Sequence, residues 1–253
     1  MKFNRLLSYR RGSTTVQIIA FAVLTLLFAC NDPSSNVIHE SRPANINRMR
    51  AQSTGPVNYV ALGDSTGLGV GATQGGYVAR LFKRIEAARQ GSRLTNLCVS
   101  GATTENVIGG QLDRAIAAKP TLLTLGIGIN DIGHGFSPDQ FGRNFEQIVS
   151  RLSTETDAPL VVTNIPDISS APTIPLVMRP EIARVITLYN ARIAETAKRH
   201  GATVVDAYAT THELLPSHPE YFSGDGFHPS DAGYEVWAEQ MWPAVAEAAG
   251  ISR

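Results

Sequence analysis

Cysteine is scarce: the chain of 253 residues has two, Cys30 and Cys98. So few cannot build a disulfide-rich scaffold. An excess of either charge is also missing, since 22 Lys+Arg face 22 Asp+Glu. That balance lacks the basic footprint of a nucleic-acid binder, and no nucleic-acid partner is expected. Charged residues make up only 17% against 43% hydrophobic, which excludes a largely disordered chain. There is no internal repeat and no low-complexity block. The histidines form no HExxH or other metal-ligand spacing, so neither a metal nor another cofactor is expected. Nor is there an apolar run long enough to span a bilayer. Val16–Ala29 is about 14 residues, where a spanning helix needs roughly 20.

That short run fits a different role. Lys2, Arg5, Arg10 and Arg11 precede it, with no acid before residue 30. A basic segment followed by roughly 7–15 apolar residues is the pattern of a secretory signal peptide, here residues 1–29. An uncleaved N-terminal anchor is the alternative. Leu27-Phe28-Ala29-Cys30 resembles the lipobox of bacterial lipoproteins, in which the cysteine is lipidated and becomes the mature N-terminus; Phe28 is bulkier than the usual residue, and ordinary cleavage nearby is the competing reading. A diacylglyceryl group plus an amide-linked chain would hold a membrane stably, whereas one chain alone binds marginally. Cys98 would then have no intramolecular partner and serve as a small buried hydrophobe. Residues 30–54 are polar and aperiodic, a tether. Export across the inner membrane follows, with retention in the cell envelope or periplasm through the lipid anchor. Without its leader the chain carries a net charge of about −4.

From residue 55 to 253 apolar runs alternate with helical periods. Strands are expected at Val57–Leu62, Leu94–Val99, Thr121–Leu125, Leu160–Ile165 and Thr203–Val205. Helices are expected at Tyr77–Gln90, Asn106–Lys119, Asp139–Leu152, Pro180–His200 and Asp231–Ala249, the last capped by Ser230. The pattern predicts one α/β domain, a three-layer α/β/α sandwich around a mostly parallel five-stranded sheet. Such sheets place their chemistry beyond the carboxyl ends of the strands. Four segments lie there: Gly63-Asp64-Ser65, Ser100-Gly101-Ala102, Gly128-Ile129-Asn130-Asp131 and Asp225-Gly226-Phe227-His228.

The glycine-rich stretch after the first strand admits three readings. Gly67-x-Gly69-x-x-Ala72 fits a dinucleotide fingerprint, but the acid expected at the end of strand two is missing from LTNLCVSGA. Gly63-x-Ser65-x-Gly67 fits the nucleophile elbow of α/β-hydrolases, but follows the first strand rather than a later one and lacks an HGGG-type segment. The third reading uses all four segments together. In order and position they resemble the blocks of the SGNH/GDSL hydrolase family, across most of residues 57–230. The sequence departs from the family's habit at Thr66-Gly67.

The resemblance implies an SGNH/flavodoxin-like fold and a serine esterase. Ser65 would be the nucleophile, His228 its base and Asp225 the partner that orients the imidazole. The backbone N–H groups of Ser65 and Gly101 and the side-chain amide of Asn130 would form the oxyanion hole. A small-molecule carboxylic ester of short or medium acyl chain is the expected substrate, as for a lysophospholipase or thioesterase. Acetyl esters of envelope polysaccharide, and a non-catalytic ligand-binding lipoprotein, are the alternatives. Read alone, each residue also has an ordinary role: Ser65 a cap, Asp225 and Gly101 turn residues, Asn130-Asp131 a loop-capping pair. Asp64 and Asp131 are expected to bond loop amides. His39, His134, His200, His212 and His218 show no partner pattern and read as surface or loop residues; His134 is also a candidate for the pocket lining, and Tyr77 for the rim, with helix packing the favoured reading of Tyr77. The Pro-rich loop from Ile165 to Arg179 is a candidate acyl-binding wall.

Overall fold

A computed structural model of the chain describes residues 55–252. The expected leader 1–29, Cys30 and the tether 30–54 lie outside the described residues. Five strands, β1 (Asn58–Gly63), β2 (Arg93–Asn96), β3 (Leu122–Gly126), β4 (Leu160–Thr163) and β5 (Thr203–Val205), form one sheet in the order β2-β1-β3-β4-β5. Every pairing is parallel, so the sheet is wholly rather than mostly parallel. The helices are α1 (Ser65–Leu68), α2 (Tyr77–Ala88), α3 (Thr104–Asn106), α4 (Leu112–Ala117), α5 (Ile129–Gly133), α6 (Pro138–Glu155), α7 (Arg179–His200), α8 (Ala207–Leu214) and α9 (Asp231–Ala248).

Both faces of the sheet are covered, which is why its strands read as continuous apolar runs. On one face Val60, Leu62, Leu123, Leu125 and Val162 pack with Leu112 of α4, Phe141 and Phe145 of α6, and Tyr189 of α7. On the other, Tyr59, Ala61, Leu122 and Val161 pack with Leu81 of α2 and Trp237 and Met241 of α9. The alternation along β1 is the pleat of the strand sending neighbours to opposite layers.

The chain leaves β1 on one side to form β2 and on the other to form β3. The strand order therefore reverses between β1 and β3, which opens a crevice beyond their carboxyl ends. Leu97–Val99 are not strand, as had been expected. The assigned strand ends at Asn96, but Leu97 N and Val99 N still donate to Ala61 O (2.8 Å) and Gly63 O (3.1 Å) before the chain turns at Gly101. The helix expected at Asn106–Lys119 begins earlier, at Thr104, where Thr103 and Asn106 make a reciprocal capping box. It carries one π turn, Val107–Gln111, around Gly109 and Gly110. That turn aims the buried Gln111 amide at the last residue of β1: it accepts from Gly63 N at 2.9 Å and donates to Gly63 O at 2.8 Å.

Asp64 follows at once as N-cap of α1. It accepts from Thr66 N at 2.9 Å and Thr66 Oγ1 at 2.8 Å, and only 2% of it is exposed. Burial raises its pKa from 3.8 to about 6, against the pull of the Thr66 bonds. The folded protein therefore holds this proton more tightly than the unfolded chain does. Stability is lost as pH rises from about 4 through about 6. Asp64→Asn should remove a decrease of about 2–3 kcal/mol over that window, read as the difference between the two proteins' urea-unfolding free energies at each pH. Phe141 is fully buried, its ring 4.5 Å from that of Tyr189 and 5.4 Å from that of Phe145. Phe141→Ala should cost about 3–5 kcal/mol by urea denaturation, whereas Glu181→Ala, which breaks an exposed pair with Arg184, should change stability by less than about 0.5–1 kcal/mol.

Candidate active site

Two loops, far apart in sequence, meet at the crevice. The first is the turn from β1 into α1. Ser65 is the first residue of α1, so its N–H has no acceptor within the helix. The turn is tight because a glycine closes it: Gly69 has φ 93° at the C-cap, and a Cβ there would sit 2.0 Å from Gly76 N. Gly67 has its own reason. A Cβ there would lie 2.3 Å from Cys98 Sγ, so the departure at Thr66-Gly67 accommodates a cysteine beneath the helix. Cys98 is buried, and desolvation pushes its thiol pKa up, which fits a packing role.

The second loop runs from Ser223 to His228. Ser223 N donates to His228 O at 2.8 Å and Gly226 N to Ser223 O at 2.9 Å, with Gly226 at φ 69°. Asp225 organises it. Its Oδ1 accepts from Ser223 Oγ (2.8 Å), Phe227 N (2.8 Å) and His228 N (2.9 Å), while Oδ2 meets His228 Nδ1 at 2.6 Å. Partial burial opposes ionisation of this carboxyl. The bonds from His228, Phe227 and Ser223 outweigh it and hold the pKa well below the usual carboxylate range. The other ring nitrogen, His228 Nε2, lies 3.0 Å from Ser65 Oγ.

A third set of contacts clamps the loops together, and sequence reasoning did not find it. Asp231, the first residue of α9, accepts from Thr73 N and Oγ1, from Gln74 N, and from the Arg80 guanidinium at 2.7 Å. Tyr234 Oη donates to Val70 O at 2.9 Å. Gly71, at φ 92°, lets the serine loop come this close. A Cβ there would meet Ser223 Oγ at 2.7 Å, Pro229 O at 2.8 Å and His228 Cβ at 2.9 Å. Gly71 thus serves loop-on-loop packing, while Gly67 and Gly69, the glycines of the dinucleotide pattern, serve packing on Cys98 and against Gly76. An acid in the first turn of a helix is so common that Asp231 gave no signal of its own.

The remaining two segments follow β2 and β3, the strands that flank β1. Asn130 Nδ2 donates to Ala102 O at 2.9 Å, tying the loop after β3 to the loop after β2. Asp131, fully buried next to it, accepts from Thr104 N and from the Thr104 hydroxyl, a second tie between the same loops. Burial raises its pKa against those bonds. Gly101 has φ 76° with open space where a Cβ would be. Its positive φ is a conformation that favours glycine.

Among the described residues the other histidines have partners that no sequence pattern announced, and His39 lies outside them. His200 pairs with Glu146 at 2.6 Å, His212 with the buried Asp167 at 2.6 Å, and His218 with Glu220 at 2.8 Å. His134 caps Asn130 O through Nδ1 at 2.8 Å and stays out of the cleft. Tyr77 is fully buried under Gly126, its ring 5.1 Å from that of Trp237, rather than on the rim.

An open cleft, about 920 Å³ with the solvent at its mouth included, runs from His228 along the ends of β3, β4 and β5. Ile127, Ile165, Ile168, Leu214, Phe227 and Trp237 form its apolar walls, with Asp64, Asn164 and Gln240 among its few polar groups. The first part of the Ile165–Arg179 loop is therefore a wall. Farther along, Ala171 is buried, Thr173 bonds to Gly226 O, and Leu176–Met178 are exposed.

Comparison with known proteins agrees with this arrangement. The GDSL-like lipase/acylhydrolase family matches residues 61–236. A GDSL-like esterase of Mycobacterium tuberculosis is 27% identical over 224 residues, 85% of this chain and 70% of that protein. Among solved structures, Axe2, an acetylxylan esterase from Geobacillus stearothermophilus, superposes with a TM-score of 0.63 at 20% identity, over 79% of this chain and 97% of its own. TesA does so with a TM-score of 0.63 at 24% identity, over 76% and 99%. The solved structures bear on the fold, and the family match on descent: the chain belongs to the GDSL-like lipase/acylhydrolase family and is an ester hydrolase of the SGNH type.

Proposed function

We propose that the protein hydrolyses carboxylic esters through an acyl-enzyme on Ser65. The observation that carries this reading is the continuous hydrogen-bonded chain from Ser65 Oγ to His228 Nε2 (3.0 Å) and from His228 Nδ1 to Asp225 Oδ2 (2.6 Å). As Ser65 Oγ attacks the ester carbonyl, His228 Nε2 takes its proton. Asp225, held ionised by its own loop, keeps the proton on Nδ1 and stabilises the imidazolium. The tetrahedral oxyanion is received by the N–H groups of Ser65 and Gly101 and by the Asn130 amide, whose second N–H is not needed by Ala102. His228 then returns the proton to the leaving alcohol. It next deprotonates a water that attacks the acyl carbonyl and restores Ser65.

The apolar walls beside His228 favour an acyl chain of several carbons over an acetyl group. Each methylene that leaves water for such a wall contributes about 0.8 kcal/mol, close to a fourfold gain. The leader and Cys30 support a site of action in the cell envelope, with the enzyme held there by lipid.

Ser65→Ala should abolish turnover of p-nitrophenyl butyrate and labelling by a fluorophosphonate; unchanged turnover would refute the nucleophile. Asn130→Ala should lower kcat by about 10²–10³, whereas a loss confined to KM would assign Asn130 to ordinary binding. Along a series from acetyl to decanoyl esters, kcat/KM should climb about threefold to fourfold per methylene until the cleft is full. A maximum at acetyl would favour acetylated polysaccharide instead.

A further inference from the structure

The large hydrophobic side chains left exposed are unevenly distributed. Among the described residues they are Leu68, Val99, Leu176, Val177, Met178 and Leu188. All but Leu188 belong to connections that follow the carboxyl ends of β1, β2 and β4, the rim that carries Ser65 and His228. Three are consecutive. Leu176, Val177 and Met178 form one 3-10 turn and are 75%, 88% and 50% exposed. A turn with three neighbouring apolar side chains in water is costly to leave uncovered.

The turn is joined to the active-site wall through its own loop. Upstream, Ile168 lines the cleft, and Thr173 N and Oγ1 both bond Gly226 O, at 3.3 and 3.1 Å, on the loop of Asp225 and His228. Downstream, the Arg179 side chain reaches only the Ile174 carbonyl, at 3.4 Å; among the described residues no carboxylate pairs with it. An apolar tip beside an uncompensated cation suits an anionic lipid surface, whose headgroups meet the guanidinium while the tip enters the acyl boundary.

We infer that Leu176–Met178, with Leu68 and Val99 around the same rim, seat the mouth of the cleft on an anionic bilayer, so that the ester is drawn from a lipid surface. This extends the esterase reading to a substrate class, an ester of an amphiphile resident in lipid.

The test uses the full chain with Cys30→Ser, so that no lipid is attached, and an environment-sensitive fluorophore on Val177→Cys; Cys98 is buried and reacts slowly. Added phosphatidylglycerol vesicles should shift the emission to the blue and strengthen it about twofold or more. Phosphatidylcholine vesicles should do so less, and the same label on Glu86→Cys, on α2 across the sheet, should not respond. No shift with any vesicle, or an equal shift at both positions, would overturn the inference. So would a shift without vesicles that grows with protein concentration, which assigns the tip to a second copy of the chain. A second arm replaces Leu176, Val177 and Met178 by Ser. Hydrolysis of a vesicle-borne ester should fall about tenfold relative to that of a soluble ester; an unchanged ratio counts against the inference. Loss of the hydrolytic reading itself would show in Ser65→Ala and leave the fluorescence arm standing.

Discussion

The hydrogen bond between Ser65 Oγ and His228 Nε2 joins positions 163 residues apart. No short-range interaction can make it, so the whole sheet has to be laid down first. The all-parallel order β2-β1-β3-β4-β5 does this by sending every strand's end to one rim. The reversal between β1 and β3 leaves a gap there in which two loops can face each other. Non-local contacts of this kind are also slow to form, since loop closure precedes any reward from the contact.

Each loop is prepared before the two meet. Asp225 spends its acceptor capacity inside its own turn, on Ser223, Phe227 and the backbone and ring of His228. The serine turn is likewise self-contained, with Asp64 capping it and Gln111 satisfying both backbone groups of Gly63. What remains is to dock one finished loop on the other, and Asp231 and Tyr234 at the start of α9 do that with Gly71 of the serine loop. Preorganisation matters because a hydrogen-bonded relay aligned in advance needs no rearrangement as charge develops.

Much of this was legible in the sequence where a residue's neighbours along the chain decide its role. The apolar runs gave the strands to within a few residues. Ser230 capped α9 as its position suggested, and Thr203–Val205 matched β5 at both ends. The short helices α1, α5 and α8 escaped notice. The first two are too brief to show a period, and Ala207–Leu214 contains paired threonines that are weak helix formers. Beyond Asn96 the apolar residues have other duties: Leu97 enters the core with Leu112 and Cys98 packs beneath Gly67 of the serine turn, while Leu97 N and Val99 N still bond to β1. Asp231, the Gly71 contact and the His212–Asp167 pair were invisible for one reason: their partners are fixed by the fold, and no spacing along the chain encodes them.

The rim combines two demands that pull in opposite directions. The relay needs a satisfied, partly solvated carboxylate, and the half-exposed Asp225 has one. The cleft next to it is walled by Ile127, Ile165, Phe227 and Trp237, which exclude water. Phe227 reconciles the two. Its N–H bonds Asp225 while its ring stands edge-on to the imidazole, centroids 5.3 Å apart at 87°, and forms part of the apolar wall. One residue thus sits at the boundary between proton transfer and chain binding. Asp225 and His228, only three positions apart, each lie next to the residues that make that boundary. A longer separation between acid and base would have left the carboxylate to find its donors from other elements. The short one lets a single loop satisfy the charge, aim the ring and present an apolar surface to the acyl chain.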